Sequence, residues 1–348
     1  MPRAVRHEYE GAVYHVMCRG NNGQSIFEAT RPADFSNRRV AVVKKGIGQR
    51  LFLSTLEEVC QQTGWRVHAY VLMNNHYHLL LETPEANRVA GMKWFQGTYT
   101  QRLNAMFRSR GHLFQGRYKA LPIEGDASCF SAVGNYIHLN PFRAGRVGEG
   151  HEQPLESYEW SSYPAYVGRR RKVPEWLDRA RLINACGFNA QEPKSRSAYR
   201  SYLEYRMKGE ADHGAVGELV EKQLKRGWFV GGEGFRNWLA QQLPTQTDNL
   251  RGMQRKAHDE VEAERLICKA LNELGISETE LLGMKNNRPE KQAVVWLLKK
   301  STTVTGVWIA ARLSMGSRTN ISRALYAISH EVDEERNELK QKMTQCAG

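Results

Sequence analysis

The chain has 348 residues, 41% of them hydrophobic, which is enough for two domains with cores of ordinary composition. Fifty Lys and Arg against 37 Asp and Glu give a net charge of +13, which suits a polyanionic partner. There is no run of about twenty apolar residues to cross a membrane, no apolar region behind the basic residues 1–7, and no Cys-x-x-Cys pair among the cysteines at 18, 60, 129, 186, 268 and 346. No membrane-spanning segment, secretory signal, zinc ribbon or disulfide framework is therefore expected, and a cytoplasmic, nucleoid-associated protein with reduced thiols is.

The first half of the chain alternates strand and helix patterns. A strand is expected at 12–19, a helix ending near Thr63, strands at 67–73 and 79–83, a helix at 87–108, a strand at 113–123 and a helix at 127–139. The strands are rich in β-branched, aliphatic and aromatic residues. The sum is an α+β fold: an antiparallel sheet with helices mainly on one face.

Two motifs stand out in this half. Asn74-Asn75-His76-Tyr77-His78 lies between two strand patterns, and Tyr136-Ile137-His138-Leu139-Asn140-Pro141 closes a helix pattern. Side chains two apart on a strand point the same way, so His76 and His78 project two imidazoles from one face and Tyr77 faces the other. Pro141 ends the helix, and Tyr136 and Asn140 share a helical face at i, i+4. Two imidazoles do not hold a metal alone; Asn140 supplies a third, oxygen ligand, with the Tyr136 hydroxyl beside it. Imidazole plus amide oxygen without thiolate suits Mg2+ or Mn2+. His68 and His138 flank the motifs and are expected to be packing residues.

These motifs resemble those of the HUH single-tyrosine transposases, in particular the REP-associated tyrosine transposases. The resemblance extends over the residues 65–84, Gly91-Met92-Lys93-Trp94-Phe95-Gln96-Gly97-Thr98-Tyr99-Thr100-Gln101, Gly111-His112-Leu113-Phe114-Gln115-Gly116-Arg117-Tyr118-Lys119-Ala120 and 136–145, in that order, roughly the first half of the chain. It implies an HUH-type (ferredoxin- or RRM-like) sheet, His76 and His78 as metal ligands, Asn140 as an additional ligand and Tyr136 as nucleophile. The implied reaction is cleavage and rejoining of single-stranded, hairpin-bearing DNA through a 5′-phosphotyrosine. The segment 30–50 departs from the family pattern: it is basic and contains Gly46 and Gly48 where the family enters an acidic and aromatic helix. Arg110, His112, Gln115, Arg117, Lys119 and Arg143 are the expected contacts to phosphates or unpaired bases. Tyr118 is the competing tyrosine, but its strand-like context lacks the helical asparagine partner.

Beyond Gly145 the chain passes through the basic run 169–172 and a helix pattern with Tyr199, Tyr202 and Tyr205, which are expected to pack. The glycines at 231, 232 and 234 follow no strand and are no evidence for a nucleotide loop. A polar stretch at 248–258 reads as a linker. Helices are expected at 261–274, 289–300, 304–313 and 318–328, and the spacing from Thr305 to Leu325 around Gly316 is that of a helix-turn-helix. Arg318, Thr319, Asn320 and Arg323 would then face duplex DNA. This segment resembles the C-terminal DNA-binding domain of the bacterial replication initiator. The expected organisation is thus a transposase domain at 1–180, a helical and linker region at 181–258 and a helical DNA-binding domain at 259–335, in a monomer or homodimer. Two other functions compete: a non-catalytic sequence-specific DNA-binding regulator, and an HUH relaxase or replication initiator. No second tyrosine accompanies Tyr136, which disfavours the latter.

Overall fold

A computed structural model describes residues 6–28, 46–148, 153–169, 172–208, 214–242, 252–330 and 334–346. The chain divides into two compact units, Arg6–Gly232 and Glu233–Gly348, and the boundary falls inside the stretch 181–258 that was expected to stand apart. Most of the basic segment 30–50, half of the run 169–172 and the first part of the linker 248–258 lie outside the described residues.

The first unit is built on a four-stranded antiparallel sheet of β1 (Ala12–Arg19), β2 (Arg66–Met73), β3 (His76–Thr83) and β4 (Lys119–Ile123), in the order β2-β3-β1-β4. The hairpin turn between β2 and β3 is Asn74-Asn75, so His76 opens β3, opposite Met73 of β2 and Arg19 of β1. Helices α1 (Ile47–Thr63) and α2 (Arg88–Phe107) follow β1 and β3 respectively. Gly46, in the left-handed region at φ 80°, starts α1, and Gly48 lies so close to the Phe27 carbonyl that a Cβ there would sit 2.0 Å from its oxygen. The two glycines that interrupt the family pattern therefore seat the helix against the residues after β1.

Helices were expected mainly on one face of the sheet; they cover both. On one face Phe52, Leu56 and Val59 of α1 and Met92, Phe95 and Tyr99 of α2 pack on Tyr14, Val16, Tyr70, Leu72, Tyr77 and Leu79. On the other, Phe130, Val133 and Ile137 of α3 (Ala127–His138) pack on Val13, Ala69, Val71, Leu80 and Leu121. The reason is in the strands: β2 and β3 are buried at nearly every position, so both faces are apolar and each needs a cover. Asp126 caps α3, accepting the backbone N–H groups of Ser128 and Cys129.

Two element boundaries differ from expectation. The strand expected at 113–123 is cut to β4 at 119–123: Gly111 and Gly116 take positive φ (107° and 71°), and the residues before Lys119 meet the end of β1 only locally, through the bridge Phe114–Gly20 and the Gln115 N–H on the Arg19 carbonyl. The tyrosine helix stops at His138, and Asn140 begins the short α4 (Asn140–Arg143), where Pro141 stands in the first turn and its missing N–H costs nothing.

Four further helices complete this unit: α5 (Tyr163–Tyr166), α6 (Ala180–Ala185), α7 (Ser195–Met207) and α8 (Gly214–Arg226). They extend the core over α3 through Tyr163, Tyr166, Leu182, Tyr199 and Leu224. Tyr199 is buried and Tyr202 half-buried as packing residues, whereas Tyr205 is 49% exposed, a departure from expectation. Its position at i+6 from Tyr199 carries it off the packed stripe.

The second unit is helical: α9 (Glu233–Gln241), α10 (Gly252–Leu274), α11 (Glu278–Gly283), α12 (Pro289–Ser301), α13 (Gly306–Arg312), α14 (Arg318–His330) and α15 (Glu334–Cys346). Its core joins Leu266, Ile267 and Ala270 of α10 to Val294, Leu297 and Leu298 of α12, Ile309 of α13, Ile321 and Ile328 of α14, and Met343 of α15. The helices α9, α11 and α15 were not expected. Ser277 and Glu280 form a capping box at the start of α11. No helix among the described residues is long and apolar enough to cross a membrane.

Candidate active site

The site lies on the α3 face of the sheet. In the register of β1 and β3, Met17 stands opposite His78 and His15 opposite Leu80, so alternation puts His15, His76 and His78 on one face and Tyr77 on the other. His76 and His78 have ring centroids 5.1 Å apart. α3 lies across this face, and the Tyr136 ring stands edge-on to both His78 and His15, at 5.9 and 6.0 Å. The Asn140 side chain lies beside His76, near enough to act on its pKa. The structure thus brings Tyr136, His76, His78 and Asn140 together, with Asn140 reaching the site from the first residue of α4 rather than from the end of the tyrosine helix.

The protonation of the imidazoles follows from burial. His78 is 3% exposed, and desolvation, with His15 and His76 beside it, holds its pKa well below the ordinary value. His76 is lowered by burial and then by the charge of Arg19, with the neighbouring Asn140 amide acting in the opposite direction. His15 is pushed down to about 3 by burial and by Lys119. All three rings are therefore neutral at pH 7, the form that can ligate a cation. Each Nδ1 of the His-x-His pair is engaged: His76 Nδ1 lies 2.8 Å from Asn75 Oδ1, and His78 Nδ1 lies 2.8 Å from His15 Nε2. An Nδ1 so engaged leaves Nε2 to face an ion. Two neutral imidazoles and a neighbouring amide oxygen fit a divalent cation whose remaining positions water or substrate oxygen would fill.

Other residues take structural places. His68 falls at a register shift between β2 and β3; its Nε2 bonds Glu82 Oε2 at 2.8 Å, and it stays at the far end of the strand from His76. The His68 bond, with Arg181 adding to it, lowers the Glu82 carboxyl to about 2 against the opposing effect of burial. His138 is held between the Tyr199 hydroxyl and the Ser162 hydroxyl, each at 2.7 Å, and burial lowers it to about 3. Tyr118 points to the α1–α2 face, buried near the Arg88 guanidinium 5.7 Å from its ring. Among the described residues the one group of three acidic, thiol or imidazole donors close enough for an ion is Glu124, Asp126 and Cys129. Asp126 there caps α3, and Glu124 accepts the Gly232 N–H, so both carboxylates are already committed.

The expected DNA contacts divide by exposure. Arg110, His112, Gln115 and Arg117 are exposed on the loop before β4, and Arg143 sets its guanidinium 4.9 Å from the Tyr136 ring centroid. Lys119 is half-buried, sits on the site face opposite Met17, and gives its Nζ to the Leu224 carbonyl at 3.2 Å, so it is a bracing residue as well as a charge. In the second unit Arg318, Thr319 and Arg323 are exposed, but Asn320 is half-buried and donates to the Met315 carbonyl at 2.7 Å, bracing the turn at Gly316 (φ 76°) together with the Ser317 N–H on the same carbonyl. Tyr326, 64% exposed, shares the outer face of α14 with Thr319, Ser322 and Arg323 at helical spacing. His15 and the exposed Arg19, opposite His76, lie on the same face and are not disclosed by the motifs; their one signal is two polar side chains four residues apart, hence on one face, in a strand otherwise apolar.

No curated protein matches the chain. Among solved structures, the chain is similar to a REP-associated tyrosine transposase bound to a REP hairpin, at 15% identity over 51% of this chain and 92% of that one, with a TM-score of 0.36. Residues 35–140 match the family model for IS200-like transposases, a span that holds His76, His78 and Tyr136 and ends on Asn140. The matched span lies within the first unit, so it is that part of the chain that is similar to the IS200-like transposases.

Proposed function

We propose that the protein is a metal-dependent DNA strand transferase that cuts and rejoins single-stranded, hairpin-bearing DNA of the REP type through a 5′-phosphotyrosine on Tyr136. The observation that carries this reading is the convergence, on one sheet face, of the Tyr136 ring with a pair of neutral imidazoles and the Asn140 amide. His76, His78 and Asn140 would hold a divalent cation, Mg2+ or Mn2+, which when bound would polarise the scissile phosphate. The rigid sheet fixes the histidines and the capped α3 fixes the tyrosine, so the reacting groups are held by regular elements.

The Tyr136 oxygen attacks phosphorus as its proton passes to solvent. The P–O3′ bond breaks, and the leaving 3′ oxygen takes up a proton. The new phosphotyrosine keeps the ester, so a second 3′-hydroxyl can attack it, restore the tyrosine and join strands without ATP. Arg143, over the tyrosine ring, and the exposed Arg110, His112, Gln115 and Arg117 would bind the DNA backbone or unpaired bases. The outer face of α14, with Thr319, Arg323 and Tyr326, and Arg318 at the start of that helix, would contact duplex DNA.

Incubation of the full chain with end-labelled hairpin DNA from the sequence flanking its own gene, with and without Mg2+ or Mn2+, tests the reading on a denaturing gel. A covalent band that needs the metal and is absent from His76→Ala and His78→Ala supports it. Native-gel binding with no cleavage under any of several metals supports the DNA-binding regulator instead.

A further inference from the structure

His15 is the buried histidine that the proposed chemistry leaves unused. It is 1% exposed, its Nε2 lies 2.8 Å from His78 Nδ1, and the two rings are coplanar to within 3° with centroids 5.0 Å apart. Its own Nδ1 has no hydrogen-bond partner among the described residues. A packing histidine buried at this depth ordinarily satisfies both nitrogens, as His138 does with Tyr199 and Ser162. His15 instead directs its single bond at the ring expected to bind metal, from the neighbouring strand.

We infer that His15 is a positioning residue for the metal site: it holds His78 through Nδ1, fixes the plane of that ring and leaves Nε2 as the nitrogen offered to the cation. Asn75 does the same for His76, and the two bonds together present both Nε2 atoms. The chemistry has one competent arrangement. A cation on His78 Nε2 requires the proton on Nδ1, so His78 donates to His15 Nε2 and His15 carries its own proton on Nδ1. Loss of such an outer partner weakens metal binding by about 10–100-fold in general. The inference rests on the metal-site reading given under Proposed function.

The test uses the full chain without DNA. Mn2+ binding is followed by electron paramagnetic resonance in wild type, His15→Phe, which fills the space without a hydrogen bond, and His15→Gln, whose amide reaches the place of Nε2. The His78 tautomer is read from 15N-histidine NMR spectra with Mg2+ bound. The expected result is a roughly 10–100-fold weaker Mn2+ affinity in His15→Phe, recovery of most of it in His15→Gln, and a protonated Nδ1 on His78 in wild type. Equal Mn2+ affinity in wild type and His15→Phe overturns the inference, as does His15→Gln binding no better than His15→Phe, a protonated Nε2 on His78 with Mg2+ bound, or three coordinated imidazoles. If wild type itself binds no Mn2+, or binds it unchanged in His76→Ala with His78→Ala, the metal-site reading falls and takes this one with it. Failure of His15→Phe to fold leaves His15→Gln and the wild-type tautomer to decide.

Discussion

The two faces of one β-sheet do different work in this protein. On the α1–α2 side, Tyr77, Phe52, Phe95 and Tyr99 form a dry aromatic cluster in which the Phe52 and Phe95 rings meet edge to face at 4.9 Å. On the α3 side, one residue to either side of Tyr77, His76 and His78 meet Tyr136 and His15 among polar bonds. Strand alternation alone separates the two faces: along β3, Tyr77, Leu79 and Leu81 enter the α1–α2 core, while His76 and His78 face α3 and Tyr136. The lesson is that the rigidity of the site is supplied from behind it, so substitutions on the two faces should fail in different ways.

The largest expected difference is between His78→Ala and Tyr77→Ala. The former should lose at least a hundredfold in metal-dependent cleavage while keeping its melting temperature within a few degrees; the latter should lose about 3–5 kcal/mol of stability, the range for truncating a buried aromatic. Paired cleavage assays and urea melts would show the separation, and equal loss of stability in both would remove it. Next in size is Phe52→Ala, which touches only the core face and should cost about 3–5 kcal/mol without altering the metal dependence of whatever cleavage activity remains. Denaturant unfolding read beside a metal titration of that activity would detect a leak from one face to the other.

A smaller effect comes from pH. His138, fully buried behind the site, is lowered to about 3 by burial, whereas in the unfolded chain it titrates near the ordinary histidine value of about 6.5. Its folded pKa is the depressed one, so its contribution is fully present above about pH 6.5 and is lost as pH falls from there towards 3, at roughly 1.4 kcal/mol per pH unit. Urea unfolding at pH 7 and pH 5 should show this decline, and His138→Gln should show a shallower one; parallel slopes would contradict the assignment. The smallest expected effect is Asp126→Ala, which removes the cap of α3 and should cost about 1 kcal/mol while loosening Tyr136, visible as a lower cleavage rate at unchanged Mn2+ affinity.

Much of this arrangement was legible because it rests on short-range periodicity. The ends of β1, the helix from 88 to 107 and the face shared by His76 and His78 follow from alternation and helical spacing read over ten to twenty residues. What was not legible depends on distant partners or on single backbone angles. His15 meets its partner, His78, 63 positions away, and a polar side chain in an apolar strand is the one local mark it carries. The strand expected from 113 loses six residues to left-handed Gly111 and Gly116, whose conformation the β-rich side chains around them do not announce. The cover on the α3 face follows from the double-sided apolarity of β2, which demands a second layer but looks locally like strand propensity alone. The start of α11 is legible in the bare sequence, where Ser277 followed three residues later by Glu280 is a capping box.

The two tyrosines that could carry the chemistry lie on opposite faces of the sheet, Tyr118 in the α1–α2 core and Tyr136 beside the histidines. The most direct test of the central claim is proteolysis of the covalent protein–DNA complex followed by mass spectrometry of the linked peptide. The account predicts a nucleotide 5′-phosphate on Tyr136 and no complex from Tyr136→Phe. A nucleotide on Tyr118 or on any other residue, or an undiminished complex from Tyr136→Phe, would contradict it.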